Sequence, residues 1–257
     1  MPVDIIERVL LQDSLGASVY APDWLIQSHA IFCQSLVNPA YPCHLGTAAE
    51  KQGELLVTYI EGNKREHLPQ TLSAFLRISA AHPSQRYVLA LFCEPECEPR
   101  GLDYYETMFW KLMQFLHDND PKPWPEGQPI DPCDPHWEFT FDGTPMFVFE
   151  AAPAYQRRHS RNLGPSLVVL FQPRRVFDDI EGGTPAGIKT RKRIRERLIA
   201  WDHMETHPDM GSYGDPSNYE WKQYFLPDDN TPVTAQCPLH LRTLSPAFNV
   251  GRNESNG

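Results

Sequence analysis

The chain has 257 residues, of which 41% are hydrophobic and 11% aromatic, so it can bury a sizeable core and lacks the composition of a disordered protein. Its net charge of -10 argues against nucleic acid as the main partner. No run of about 18 apolar residues is present, and residues 1–4 lack the basic and apolar regions of a signal peptide, so we expect a soluble cytoplasmic protein without a membrane partner.

The first half of the chain contains both helical and extended patterns. Apolar spacing and turn residues predict, in order, a helix near 22–36, a turn over 38–43, a short helix from about 46, a strand over 55–60, a helix from Pro69 to Ser79 and a strand over 87–92. The clearest helix covers 102–117, because its large apolar residues recur at steps of three and four.

The second half begins with a proline-rich connection, 121–135, which is long for a loop and is interpreted as functional or as a cover over the core. The patterns then predict, in order, a strand over 137–141, a hairpin turn at Asp142-Gly143, strands over 146–149 and 166–171, a short helix from Pro173 to about 183 and a basic helix over 186–204. After about Leu241 the sequence is polar, which predicts a frayed end.

This order of elements lacks the regular strand–helix alternation of a doubly wound fold. It predicts an α+β fold in which a mainly antiparallel central sheet of about five strands is covered by helices. We expect one domain over residues 1–240, followed by a flexible C-terminal tail over 241–257.

The six cysteines are spread along the chain, which fits a reducing compartment better than the dense disulfide framework of a small secreted domain. Cys93 and Cys97 form the one close pair in the sequence. Their spacing is compatible with half of a zinc site, whose second half is missing, or with two unrelated thiols.

Positive charge is concentrated between Arg157 and Arg197, a segment with 11 of the 23 lysine and arginine residues and only four acidic residues. Lys189, Arg193 and Arg197 recur at steps of four along one flank of the predicted helix, so their charged ends can converge. The segment is interpreted either as a solvated basic helix or as a binding site for carboxylates or phosphates, which arginine suits well.

Common enzyme signatures are absent, since the chain has no GxGxxG, Walker A, HExxH or GxSxG motif. Two groupings of residues remain that could carry chemistry. In the first, residues 41–47, Cys43 and His44 lie near the start of a helix and could act as a nucleophile or a metal ligand. The alternative for this grouping is structural, because neighbouring side chains in a tight turn usually point apart.

The second grouping, residues 153–162, lies between two predicted strands, and loops at strand ends often carry sites. His159 is flanked there by Arg157, Arg158 and Arg161. The imidazole could ligate the iron of an anionic cofactor, and the guanidinium groups could pair with its propionates. The spacing fits a phosphate-bearing ligand equally well, and an exposed basic loop is the structural alternative.

The sequence resembles the YqcI/YcgG family at short motifs between about residues 40 and 240. These motifs are Tyr41-Pro42-Cys43 with Gly46 and Ala48, Phe147-Val148-Phe149 before Pro153, Arg158-His159-Ser160-Arg161, Leu167-Val168-Val169-Leu170-Phe171, Phe177, Ile194-Arg195-Glu196-Arg197, Gln223-Tyr224 and Cys237-Pro238. One departure stands at Glu150-Ala151-Ala152-Pro153, where many relatives carry Gly-x-His-Pro.

Members of this family include haem proteins that N-hydroxylate arginine or related guanidines, as in the D-cycloserine and guanitoxin pathways. The resemblance implies a haem b monooxygenase that inserts one oxygen atom into an N–H bond of a small, arginine-like substrate. It also implies a separate electron donor protein for the oxygen-driven reaction, because the sequence has no flavin or nicotinamide signature. A homodimer is left open.

The resemblance also directs the choice of site residues. Because the departure removes a histidine that relatives carry, the iron ligand is sought, in order of preference, among His159, His44 and His207. The residues expected to pair with the cofactor's propionates are Arg157, Arg158, Arg161, Arg193 and Arg197. The acidic residues expected to hold a cationic substrate are Asp202 and Glu220.

Two further functions stay open at this point. A module that binds a small molecule or phosphate without redox chemistry would use the basic segment 157–197. A scaffold or interaction protein would use the proline-rich connection 121–135.

Overall fold

The computed structural model describes residues 10–11, 21–180 and 183–241. The α-helices in these ranges are α1 (Asp23–Val37), α2 (His44–Lys51), α3 (Leu68–Ala81), α4 (Leu102–Asp118) and α5 (Pro185–Asp202). The strands are β1 (Leu10–Leu11), β2 (Leu55–Ile60), β3 (Val88–Cys93), β4 (Thr140–Phe141), β5 (Thr144–Ala151) and β6 (Val168–Pro173). Short 3-10 helices cover His159–Arg161, Arg174–Ile180 and Glu220–Gln223.

The strands form one mixed sheet in the order β1-β2-β3-β6-β5-β4. β2 and β3 run parallel, with Leu55 opposite Val88, and the other neighbouring pairs in the described ranges are antiparallel. The parallel pair is joined through α3, since parallel neighbours need a crossover connection. The predicted single α+β domain with a mainly antiparallel sheet is confirmed.

Helices cover both faces of the sheet. α1 packs on one face, where its Leu25 shares a buried cluster with Val57 of β2. α3 and α4 pack on the other face, where Phe75 and Phe109 share a second cluster with Leu89 of β3. Alternate residues of β2 and β3 belong to opposite clusters, because successive side chains of a strand point to opposite faces.

The strand predicted over 137–141 is shorter in the structure, where the ladder contains Thr140–Phe141 alone. Phe139 is buried, but its backbone N–H donates to the hydroxyl of Tyr224 at 2.9 Å rather than to a strand. The predicted hairpin turn is confirmed, with Asp142 at φ 50° and Gly143 at φ 73°.

The predicted basic helix is confirmed as α5. The Thr184 side chain caps its start by accepting from the N–H of Gly187 at 3.0 Å, and its end is marked by His203 at φ 53°. The short helix predicted from Pro173 is a 3-10 helix over Arg174–Ile180. The predicted tail beyond Leu241 lies outside the described residues, so its fraying stays a prediction.

The structure bears on two features considered in the sequence, a membrane-spanning helix and the Cys93–Cys97 pair. Within the described ranges, none of the helices is both long and apolar enough to cross a membrane. Cys93 is buried in β3 and Cys97 is exposed, and no group of three or more His, Cys, Asp or Glu side chains among the described residues is arranged to hold a metal ion.

Candidate functional site

A cavity of about 540 Å³ lies between the sheet, α5 and the segments 174–180 and 210–214. Sites for small molecules typically measure roughly 300–1,000 Å³. Phe147 and Phe149 of β5 line this cavity, whereas Met146 and Val148 of the same strand belong to the buried core. The alternation of the strand therefore places one set of side chains at the site and the other in the core.

The helix α5 forms a second wall. Arg191, Ile194, Arg195 and Leu198 line the cavity from one face of this helix, because residues three and four apart are neighbours on a helix surface. Arg195 also donates from Nη2 to the carbonyl of Met210 at 2.8 Å, which ties α5 to the 210–214 segment. Together with the phenylalanines, this wall suits a ligand that has an apolar body and anionic groups.

Arg158 lines the cavity and is held by the segment that follows the last 3-10 helix. Its Nε donates to the carbonyl of Pro227 at 3.0 Å, and its Nη2 donates to the carbonyl of Asp229 at 2.8 Å. Its backbone N–H donates to the Asp228 carboxylate at 2.9 Å. These bonds fix the position of the guanidinium group at the cavity wall.

Arg161 is the most thoroughly bonded charged group of the cavity wall. Its Nη1 donates to Glu150 Oε2 at 3.1 Å and to the carbonyl of Tyr224 at 3.0 Å, and its Nη2 donates to the carbonyl of Gln223 at 2.6 Å. The guanidinium carbon lies 4.5 Å from the centre of the Phe149 ring. Burial raises the pKa of Glu150 to about 7, because the loss of hydration outweighs the attraction of Arg161.

Arg174 joins two buried carboxylates at the other end of the lining. Its Nε donates to Glu138 and its Nη2 to Glu220, each at 2.6 Å, and its guanidinium carbon lies 4.2 Å from the centre of the Tyr213 ring. Burial raises the pKa of Glu138 to about 7 against the opposing charge of Arg174. Arg174 and Glu220 line the cavity, whereas Glu138 is not among its lining residues.

The raised pKa of Glu150 predicts a pH-dependent contribution to stability. An ordinary glutamate titrates near 4.5, so between this pH and about 7 the folded chain binds more protons than the unfolded chain, and the contribution of Glu150 falls as the pH rises. We therefore expect the free energy of unfolding of wild type, relative to that of Glu150→Gln, to decrease between about pH 5 and pH 8. Urea denaturation across this range measures it.

Glu126→Gln is the matched control, because Glu126 is an exposed glutamate of the proline-rich connection. Its difference from wild type should be nearly constant over the same pH range. A constant difference for Glu150→Gln as well would contradict the assignment of a raised pKa to Glu150.

The first two predicted iron ligands lie outside the cavity lining. His159 is exposed and lines a separate shallow depression with Asn162 and Trp201. His44 directly precedes a lining residue, Leu45, and its Nδ1 is buried without a hydrogen-bond partner among the described residues. Burial, followed by the charges of Arg193 and Arg197, lowers the pKa of His44.

The third predicted ligand, His207, has both ring nitrogens in hydrogen bonds. Its Nε2 lies 2.9 Å from the carbonyl of Thr231, and its Nδ1 accepts from the N–H of Asp209 at 3.1 Å. Burial lowers its pKa. The assignment of iron to His159, His44 or His207 stays a prediction.

Of the remaining predicted site residues, some are exposed and others form hydrogen bonds within the fold or line the cavity. Arg157 and Arg193 are exposed. Arg197 donates to the carbonyls of Pro39 and Tyr41, which ties α5 to the turn before α2. Of the two predicted substrate carboxylates, Glu220 lines the cavity, whereas Asp202 accepts from the N–H and the hydroxyl of Ser160 at 2.6 Å and 2.8 Å.

Of the predicted residues, the structure therefore brings Arg158, Arg161 and Glu220 together in the cavity. Cys43, which the sequence offered as a possible nucleophile or metal ligand, and His136, which it did not single out, also line the cavity. Cys43 carried a signal, because it belongs to the Tyr-Pro-Cys motif. His136 carried none, since it simply follows the proline-rich connection.

Cys43 and His136 differ in their surroundings. Cys43 Sγ accepts from the N–H of Gly46 at 3.3 Å at the start of α2. Burial raises the pKa of the Cys43 thiol, and the backbone N–H groups near it and Arg197 oppose this shift. The His136 side chain is 63% exposed, its Nδ1 lies 3.5 Å from the Asp134 carboxylate, and its Nε2 edge packs against Gly214.

Comparison with known proteins adds an independent line of information. The model of the YqcI/YcgG family matches residues 32–240. The chain is 37% identical over 226 residues to YcgG of Bacillus subtilis and 34% identical over 227 residues to YqcI of the same organism, each match covering 85% of this chain and 88% of the relative.

A third relative comes from Streptomyces lavendulae and is named "Putative N(omega)-hydroxy-L-arginine synthase DcsA". It is 32% identical over 242 residues, which cover 91% of this chain and 90% of the relative. No solved structure matches the chain.

Proposed function

Since the chain belongs to the YqcI/YcgG family, we propose that it is a haem-dependent N-oxygenase that hydroxylates an amine or guanidine nitrogen of a small, arginine-like substrate. The observation that carries this proposal is the similarity, along 91% of the chain, to the relative named "Putative N(omega)-hydroxy-L-arginine synthase DcsA". The cavity supports it, because both a cofactor with carboxylates and a cationic substrate find complementary groups there.

The lining fits haem in its general chemistry. Phe147, Phe149 and Leu198 offer apolar surface to a macrocycle, and Arg191 and Arg195 offer positive charge to propionates. Bound haem would supply the activation of oxygen. One oxygen atom would enter the N–H bond, and the other would leave as water after a separate donor protein has delivered two electrons together with two protons.

Cys43 is the lining residue best placed to ligate iron. Its sulfur is sheltered at the start of α2 and accepts a backbone N–H bond, and coordination by a metal removes the thiol proton. Thiolate ligation is the arrangement that favours O–O cleavage in haem monooxygenases. His136 is less suitable, because its side chain is 63% exposed and its Nε2 lies close to the backbone of Gly214.

The other cavity residues would bind and orient the substrate. Arg161 and Arg174 are held by buried carboxylates, so these ion pairs keep the cavity wall in a fixed geometry without reorganisation. The 210–214 segment, which Arg195 ties to α5, closes part of the cavity and would limit the access of water to the reacting nitrogen.

The proposal is tested by adding haemin to the purified chain and recording absorption spectra before and after reduction. We expect stoichiometric haem binding, and conversion of L-arginine to a product heavier by one oxygen atom when a chemical reductant and oxygen, or hydrogen peroxide, are supplied. Mass spectrometry identifies the product. Absence of haem binding, or binding without hydroxylation of any of a panel of guanidines and amines, would contradict the proposal.

A non-redox module for small anions is the second candidate. Arg191 and Arg195, which point from one face of α5 into the cavity, favour it. It predicts that phosphate or a carboxylate raises the melting temperature of the chain in the absence of haem, because a ligand that binds only the native state stabilises that state. A lack of any shift across such a panel would exclude this candidate.

A further inference from the structure

One carboxylate stands out in a cavity whose other buried charged lining residues are arginines. Glu220 is 2% exposed and lines the cavity beside Arg174. Asp178, the other acidic lining residue, is exposed on the 3-10 helix after β6. Among the described residues, Glu220 is thus the buried anionic group that a ligand in the cavity meets.

Three side chains hold Glu220 in place. Its Oε1 accepts from Arg174 Nη2 at 2.6 Å, and its Oε2 accepts from Asn218 Nδ2 and Gln223 Nε2, both at 3.2 Å. An ionised carboxylate has about four lone-pair sites, so these three bonds leave room for a further donor. Because the Glu220 carboxylate is held in place, a donor on the ligand can approach it from one direction, and such a fixed geometry is needed to position a reacting group.

The charge balance of this corner also favours a cationic ligand. Arg174 lies 2.6 Å from both Glu138 and Glu220, so the two acidic side chains share one guanidinium group. A guanidinium or ammonium group that enters the cavity would pair with Glu220 through charge-assisted hydrogen bonds, which are roughly twice as strong as neutral ones.

We propose that Glu220 is the residue that recognises and positions the cationic nitrogen of the substrate. This inference rests on the proposed function for the identity of the reaction, but the recognition of a cation by Glu220 is a separate property. The ligand class is a guanidinium or alkylammonium compound, and neutral analogues of the same shape should be discriminated against.

The test compares L-arginine with L-citrulline, in which a neutral urea replaces the guanidinium group. Dissociation constants are measured by isothermal titration calorimetry for wild type and for Glu220→Gln, with and without bound haem. We expect wild type to prefer L-arginine by roughly 10- to 100-fold and Glu220→Gln to bring the ratio close to one by weakening the binding of L-arginine.

Glu138→Gln is the matched control. It removes the other carboxylate that Arg174 contacts at 2.6 Å, but Glu138 is not among the cavity-lining residues. Its ratio of affinities should stay near that of wild type. Asp178→Asn, which removes the exposed lining carboxylate, should also keep the ratio.

A wild-type chain without preference for L-arginine, or a Glu220→Gln variant that keeps this preference, would overturn the inference. Loss of the preference in Asp178→Asn instead would do the same. If circular dichroism shows that Glu220→Gln does not fold, Glu220→Asp is measured instead. Equal changes in the dissociation constants of L-arginine and L-citrulline in that variant would count against the inference. If the chain binds L-arginine selectively through Glu220 but does not bind haem, the inference about Glu220 holds and the proposed function fails.

Discussion

Replacement of Arg161 by Met is expected to lower the free energy of unfolding by about 3–5 kcal/mol, the cost of breaking a buried ion pair. The Arg161 and Glu150 side chains are 5% and 0% exposed. The substitution removes their 3.1 Å contact and leaves the carbonyls of Gln223 and Tyr224 without their guanidinium donor. Urea denaturation at neutral pH measures the loss.

Arg157→Met is the control for this prediction. Arg157 is an exposed arginine of the same loop, and its backbone N–H, rather than its side chain, donates to the Asp228 carboxylate. Its substitution should change the free energy of unfolding by less than about 0.5 kcal/mol. Equal effects of the two substitutions would mean that Arg161 is not part of the framework of the site.

Cys43→Ala is expected to abolish the spectral signature of a thiolate-ligated haem and to reduce N-hydroxylation to background. Reduced, carbon-monoxide-bound wild type should show the strongly red-shifted Soret band that a thiolate ligand produces. The variant should lack this band, because alanine has no sulfur to ligate the iron in the place of Cys43 Sγ, which the N–H of Gly46 positions at the cavity wall. The measurement needs only the absorption spectrum of the haem-loaded protein.

His136→Ala is the matched comparison, since His136 is the histidine of the described residues that lines the same cavity. We expect this variant to keep the thiolate spectrum. If Cys43→Ala keeps the wild-type spectrum, Cys43 is not the ligand, and the same spectra of His136→Ala, His159→Ala, His44→Ala and His207→Ala identify the histidine that is.

The sequence alone predicted the local elements well. The three- and four-residue spacing of apolar side chains located α4, and the alternation of 137–141 together with Asp142-Gly143 located a hairpin, because both patterns depend only on near neighbours along the chain. The shortening of the 137–141 strand was not predictable in the same way, since it depends on the hydroxyl of Tyr224, a residue 85 positions from Phe139.

The basic segment 157–197 is the clearest example of the difference between what the sequence determines and what the tertiary structure decides. Its charge concentration was readable from the sequence and was compatible with either a solvated basic helix or a binding site for carboxylates or phosphates. In the folded chain its arginines contact different partners. Arg161 pairs with the buried carboxylate of Glu150, Arg197 donates to the turn before α2, and Arg195 lines the cavity. Sequence spacing determines which side chains share a helix face, but a buried charge takes its partner from residues brought near it only by the packing of distant elements.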